Sequence, residues 1–133
     1  MYDELFLSER QWVRPIKKIN HSDSVFHLYV ILLNIKKIKV SKTKLILELR
    51  KNLIGTMVHY IPLHLQPVFS NKINLVGAEK YYNNCLSLPL HTKMNFSDVK
   101  RVVRKLKQIA VPSLLGNSFL YLYSTKQRPL LPE

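Results

Sequence analysis

The sequence predicts an α+β domain in which a small sheet is covered by helices, and three observations carry that prediction. Residues 25–33 are rich in β-branched and aromatic side chains and apolar on both faces, as a covered strand requires. Val99, Val102, Val103, Leu106 and Ile109 recur at helical spacing, with Lys100, Arg101, Arg104, Lys105 and Lys107 on the opposite face. The elements run strand, helix, strand, short helix, extended segment, helix, an order that suits an α+β fold.

Taken in order, residues 1–23 are weakly patterned and read as a weakly ordered N-terminal segment. Pro15 and the polar His21-Ser22-Asp23-Ser24 mark a loop leading into the first strand. That strand is apolar on both faces and is expected to be central. Ser41 precedes Leu45, Ile46, Leu49 and Leu53, so a helix is expected over 42–52 with Ser41 as its N-cap. A second strand, 57–61, is stopped by Pro62. Pro62 and Pro67 frame a rigid loop at 63–66. A short helix over 77–84 carries Tyr81 and Tyr82, and 86–90 reads as an extended edge segment containing Pro89. Asn95 and Asp98 have capping-box spacing ahead of the last helix, which Pro112 ends. A last strand over 114–123 and a loose tail over 128–133 complete the reading.

Composition narrows the chemistry. The 133 residues suffice for one compact domain, and 47% hydrophobic residues can furnish its core. Three glycines leave no material for a phosphate-binding glycine loop. The single cysteine, Cys85, excludes an internal disulfide and a cysteine metal cluster. Met1 to Arg14 contains Asp3, Glu4 and Glu9 and lacks the apolar core of a signal peptide. The longest apolar run is far too short for a membrane span, so the cytoplasm is the expected compartment. Lys and Arg number 21 against 8 acidic residues, a net charge of +13. Such a charge has two readings: an anionic partner, or lysine spread over solvated faces.

One string carries a resemblance. Val58-His59-Tyr60-Ile61-Pro62-Leu63-His64-Leu65-Gln66-Pro67 closely resembles the C-terminal domain of the DegT/DnrJ/EryC1/StrS aminotransferases. Within that family it is most similar to enzymes acting on UDP-linked 4-keto-6-deoxy sugars of the pseudaminic acid type. His27 to Leu33 resembles the family's opening strand. Ala78-Glu79-Lys80-Tyr81-Tyr82 and Cys85-Leu86-Ser87-Leu88-Pro89-Leu90 resemble its short helix and edge segment, and Asp98 to Ile109 its final helix. The likeness spans residues 24–110; residues 111–133 form a divergent tail.

The resemblance implies the small C-terminal domain of a fold-type-I transferase, with a short, mainly antiparallel sheet packed against helices. In such enzymes a large domain holds pyridoxal phosphate on a lysine Schiff base, and the small domain closes the site. Amino transfer from glutamate to a UDP-4-keto-6-deoxy sugar is the implied reaction. The family's Schiff-base lysine lies upstream of everything matched here. This chain is therefore expected to contribute no catalytic residue, to bind no cofactor alone and to be inactive alone, as a truncated or split domain. A separately encoded large domain or a homodimer is the implied partner. A non-functional gene remnant is the bleaker form of the same reading.

Three departures from the family pattern stand out. Leu53 occupies the place of a glycine just past a helix end, where a left-handed conformation costs a leucine about 1–2 kcal/mol. Asn52 is an alternative bearer of that conformation. Lys44 stands where a carboxylate would favour the helix start. Ser118 to Tyr123 is an uncharged, β-prone run.

His59, Tyr60, His64 and Gln66 are the candidate substrate-binding residues, because the resemblance brings this region to the sugar-nucleotide site. Each has a plainer reading: core packing for one of His59 and Tyr60, a surface position for His64. No third ligand accompanies the two histidines, so no metal site is expected. His27 reads as a hydrogen-bonded core histidine and Cys85 as a small buried hydrophobe. The alternative function is a small basic nucleic-acid-binding protein. It rests on the net charge and the 100–107 basic face, but no helix-turn-helix, zinc-finger or RNA-binding aromatic pattern accompanies them.

Overall fold

The computed structural model describes residues 1–17, 19–21, 25, 27–69 and 73–112. Its elements are α1 (Tyr2–Phe6), β1 (Val13–Pro15), β2 (Tyr29–Leu33), α2 (Lys42–Lys51), α3 (Val76–Asn84), β3 (Cys85–Leu88) and α4 (Phe96–Ala110), with 3-10 turns at Leu7–Glu9 and Leu63–Leu65. The expected strand over 114–123 and the tail lie outside the described residues.

The sheet has three strands in the order β1-β2-β3, antiparallel throughout. Residues opposite one another in a ladder share a face. Val13 pairs with Leu33, Ile31 with Leu86 and Tyr29 with Leu88, and all six are buried on one face. Arg14 with Leu32, Val30 with Ser87, and Leu32 with Cys85 share the other. The central position expected for β2 is observed, but the strand begins at Tyr29 and its burial alternates. Burial on both faces was expected; on the second face β3 is buried at Cys85 and Ser87, whereas Val30 and Leu32 of β2 are only half-buried.

Helices α2 and α4 pack against each other and enclose the core. Ser41 caps α2, accepting from the Lys44 amide at 3.2 Å. Asn95 and Asp98 form the reciprocal capping box of α4 at 3.1 and 3.0 Å. The stripe on α4 is buried at Val99, Val102, Val103 and Leu106, as its period requires. Its basic face is less idle than a solvated face would be. Lys107 binds Glu9, Arg101 donates to the Asn52 carbonyl at 2.6 Å, and Lys100 rests over the Phe96 ring.

Beyond α2, Leu53 adopts φ 58° while Asn52 stays at φ −89°. The Leu53 amide donates to the Arg50 carbonyl at 2.9 Å and the Ile54 amide to Leu49 at 3.0 Å. This is a Schellman closure, complete with apolar contact partners in the buried Leu49 and Ile54. Leucine thus takes the left-handed position itself, with its side chain 86% exposed.

Residues 1–23, expected to be weakly ordered, require correction. Residues 2–15 hold a helix, a 3-10 turn and a strand, and Tyr2, Phe6, Trp12 and Val13 are core residues. The physical reason is tertiary. Tyr2 stacks on Tyr29 at 4.5 Å between ring centroids, and the Tyr29 hydroxyl donates to Asp3 at 2.6 Å. Glu9, 7% exposed, accepts from Trp12 Nε1 at 2.7 Å and from Lys107 Nζ at 2.6 Å. Burial alone would raise the Glu9 pKa; the hydrogen bonds from Lys107 and Trp12, with the Lys107 charge, outweigh it and hold the carboxyl below its ordinary value.

Two further expectations change. The second strand, 57–61, shrinks to one bridge, Met57 with Ser87, so His59 and Tyr60 lie on a loop. His27 is exposed, because it precedes β2 instead of lying within it. Cys85 is fully buried, as expected. Among the described residues no helix is long and apolar enough to cross a membrane, and no group of side chains suits a metal ion.

Candidate functional site

Residues 57–69 leave the sheet at Met57 and return toward α3, held at two points by histidines. His59 Nδ1 and Ser87 Oγ share a hydrogen bond at 2.8 Å, fastening the start of the loop to β3. His64 Nε2 meets Glu79 Oε1 of α3 at 3.1 Å, with the His64 side chain only 7% exposed. Pro62 sets the turn into Leu63–Leu65. Gln66 Nε2 donates to the Ile61 carbonyl at 3.4 Å and closes the loop on itself.

The four candidate residues therefore separate into roles. His59 and His64 bind the loop to its surroundings, and Gln66 holds it to itself. Tyr60 points outward, 71% exposed, its ring meeting that of His59 edge to face at 4.8 Å. The surface reading of His64 fails, since its ring is nearly buried against Glu79. Leu63, 72% exposed, and Ile61 continue an apolar rim beside Tyr60.

A cleft of about 540 Å³ opens beneath the loop, where Arg50, Thr56, His59 and Ser87 converge beside apolar Ile46 and Leu88. Thr56 Oγ1 is buried and has no hydrogen-bond partner among the described residues. Such an orphaned hydroxyl is costly unless a further group supplies the bond. Arg50, Thr56 and Ser87 escaped the sequence reading. Ser87 was visible as the one hydroxyl within an apolar strand, but its meeting with His59, 28 residues away, belongs to the fold.

This architecture has known counterparts. Residues 1–107 match the DegT/DnrJ/EryC1/StrS aminotransferase family. The chain belongs to this family. The match reaches back to Met1 and takes in α1 and β1 with the rest of the domain. The chain is 41% identical over 115 residues to the uncharacterized protein MJ1066 of Methanocaldococcus jannaschii, covering 82% of this chain and 29% of that protein. It is 32% identical to a UDP-4-amino-4,6-dideoxy-N-acetyl-β-L-altrosamine transaminase of Helicobacter pylori, covering 76% of this chain and 27% of the relative. The structure of Helicobacter pylori PseC, an aminotransferase involved in the biosynthesis of pseudoaminic acid, superposes with a TM-score of 0.72 at 27% identity. That likeness covers 82% of this chain and 30% of PseC. The chain thus spans less than a third of the length of these relatives.

Intact family members depend on pyridoxal phosphate, and the partly buried lysine of α2 is not placed to hold it. Burial holds the Lys42 ammonium below the ordinary lysine pKa, as a Schiff-base lysine requires. Its Nζ is committed, however, donating to the Tyr82 carbonyl and lying 4.8 Å from the Tyr82 ring centroid. It lines neither the cleft under the loop nor the groove beside β1.

Proposed function

We propose that this chain acts as the small domain of a nucleotide-sugar aminotransferase and carries no transamination by itself. In the assembled enzyme a large domain holds pyridoxal phosphate, and an amino group passes from glutamate to a UDP-4-keto-6-deoxy sugar. That large domain belongs to a separate chain or to the remainder of a longer polypeptide, and a homodimer completes the site. The carrying observation is the 57–69 loop: His59 and His64 fix it to β3 and α3, while Tyr60 and Leu63 face outward. A loop tied at two points presents its outward side chains with little loss of conformational entropy on binding. Tyr60 supplies a ring and a hydroxyl to the sugar nucleotide, and His59 has Nε2 left for a sugar or phosphate oxygen. Gln66 and His64 keep the loop in shape.

A circular-dichroism melt of the purified chain comes first, and one cooperative transition is expected from its single enclosed core. The chain is then supplied with pyridoxal phosphate, glutamate and a UDP-4-keto-6-deoxy sugar. No amino transfer is expected, and turnover by the chain alone would sink the proposal. Titration with the UDP-sugar tests the loop. Saturable binding that Tyr60→Ala weakens supports the reading, whereas binding indifferent to both Tyr60→Ala and His59→Ala removes it.

A further inference from the structure

A second concavity lies on the face of the sheet where Leu32 is half-buried, between β1 and α3. It encloses about 600 Å³, within the ~300–1,000 Å³ typical of small-ligand sites. Four cations line it from four separate segments: Arg10 ahead of β1, Arg14 on β1, Lys36 after β2, and Lys80 on α3. No carboxylate is among its described lining residues. None of the four cations is ion-paired within the described structure, whereas Lys51 and Lys107 each hold a glutamate. Leu32 and Tyr81 give the groove an apolar wall.

Four cations facing one hollow, none of them ion-paired although Asp3 lies with Arg10 and Arg14 around a neighbouring concavity, repel one another, and an anion relieves that repulsion. Guanidinium groups offer planar pairs of donors matched to phosphate oxygens, and lysine adds a point charge. We propose that this groove binds the diphosphate group of a small molecule, with Arg10, Arg14, Lys36 and Lys80 on the phosphates and Tyr81 against the attached moiety. The groove is distinct from the cleft under the 57–69 loop. Lys80, Tyr81 and Asn84 share one side of α3, while Glu79, which holds His64, faces away from them. The proposal does not rest on the sugar-nucleotide reading of that loop.

The test is titration of the isotope-labelled full chain with inorganic pyrophosphate at low salt, followed by amide shifts in the NMR spectrum. Saturable shifts are expected around Arg14, Lys36 and Lys80. All four cations are exposed, so Arg14→Ala/Lys80→Ala should remain folded and lose about tenfold or more in affinity. Arg104→Ala, which removes an exposed cation of α4 outside the groove, should leave pyrophosphate binding unaltered. Uridine diphosphate binding more tightly than pyrophosphate, and losing that affinity in Arg14→Ala/Lys80→Ala, would support the proposal and assign the apolar wall to a nucleoside. Equal binding by wild type and the double variant would overturn the proposal, since the general charge of the chain would then suffice. A single-stranded oligonucleotide that displaces pyrophosphate with a steep salt dependence would overturn it in favour of nucleic acid. Absence of any shift at millimolar pyrophosphate would also end it.

Discussion

The N-terminal segment with α4, and the 55–84 stretch, make an instructive pair. Both are rich in large apolar side chains. In the first, Tyr2, Phe6, Trp12 and the α4 stripe are buried, and the one carboxylate drawn inside, Glu9, meets two donors. In the second, not one described residue from Gly55 to Asn84 is buried, although Tyr60, Ile61, Leu63 and Val68 are among them. The first region satisfies itself within the chain. The second is organised, through its histidine contacts, but turns its apolar groups outward, as a surface that meets another body does.

Mutations sharpen that contrast, beginning with the core. Trp12 is 1% exposed, so Trp12→Ala should cost about 3–5 kcal/mol in urea unfolding. A loss below 1 kcal/mol would mean that the N-terminal segment is not part of the cooperative unit.

Next in size is Glu9→Gln, which keeps an acceptor for Trp12 but removes the charge facing Lys107. The expected loss is about 1–2 kcal/mol near neutral pH. The folded pKa of Glu9 is depressed, so its contribution is present above the ordinary carboxylate range. That contribution disappears as the pH falls through the depressed folded value. Stability curves of wild type and Glu9→Gln should therefore converge in acid; a gap independent of pH would refute the ionic account.

A gain is expected from Leu53→Gly. The left-handed strain is relieved, the mostly exposed side chain buries little, and added freedom of the unfolded chain offsets part of the benefit. The net is about 0.5–1 kcal/mol of added stability, read from the denaturation midpoint; an unchanged or lowered midpoint would count against it. The smallest stability effect belongs to the second region. Tyr60→Ala should change unfolding by no more than about 0.5 kcal/mol while weakening UDP-sugar binding. A large destabilisation would place Tyr60 in the structural core of the loop instead.

Where local chemistry suffices, the elements were readable in advance. Ser41 and the Asn95–Asp98 pair cap helices because an amide three residues on needs an acceptor. The α4 stripe follows from its period. The family's glycine position left Leu53 or Asn52 to take the left-handed conformation, and the Schellman bonds put it at Leu53. The N-terminal elements escaped because a five-residue helix and a three-residue strand are too short to display a period. The candidate loop was found by its string of residues, with 63–66 read as a loop but 57–61 as a strand. A pattern of apolar residues cannot tell a full ladder from the single Met57–Ser87 bridge.

The linear chain thus settled α2, α3 and α4, the caps of α2 and α4 and the central strand, all of which depend on residues within a few positions of one another, and the order of its motifs settled its family. Tertiary structure alone decided that Glu9 would meet Lys107, 98 residues away, and that His59 would meet Ser87. It also gathered Arg10, Arg14, Lys36 and Lys80 around one groove. Those meetings depend on how the strands register and which face of the sheet each helix covers, and no local propensity encodes either.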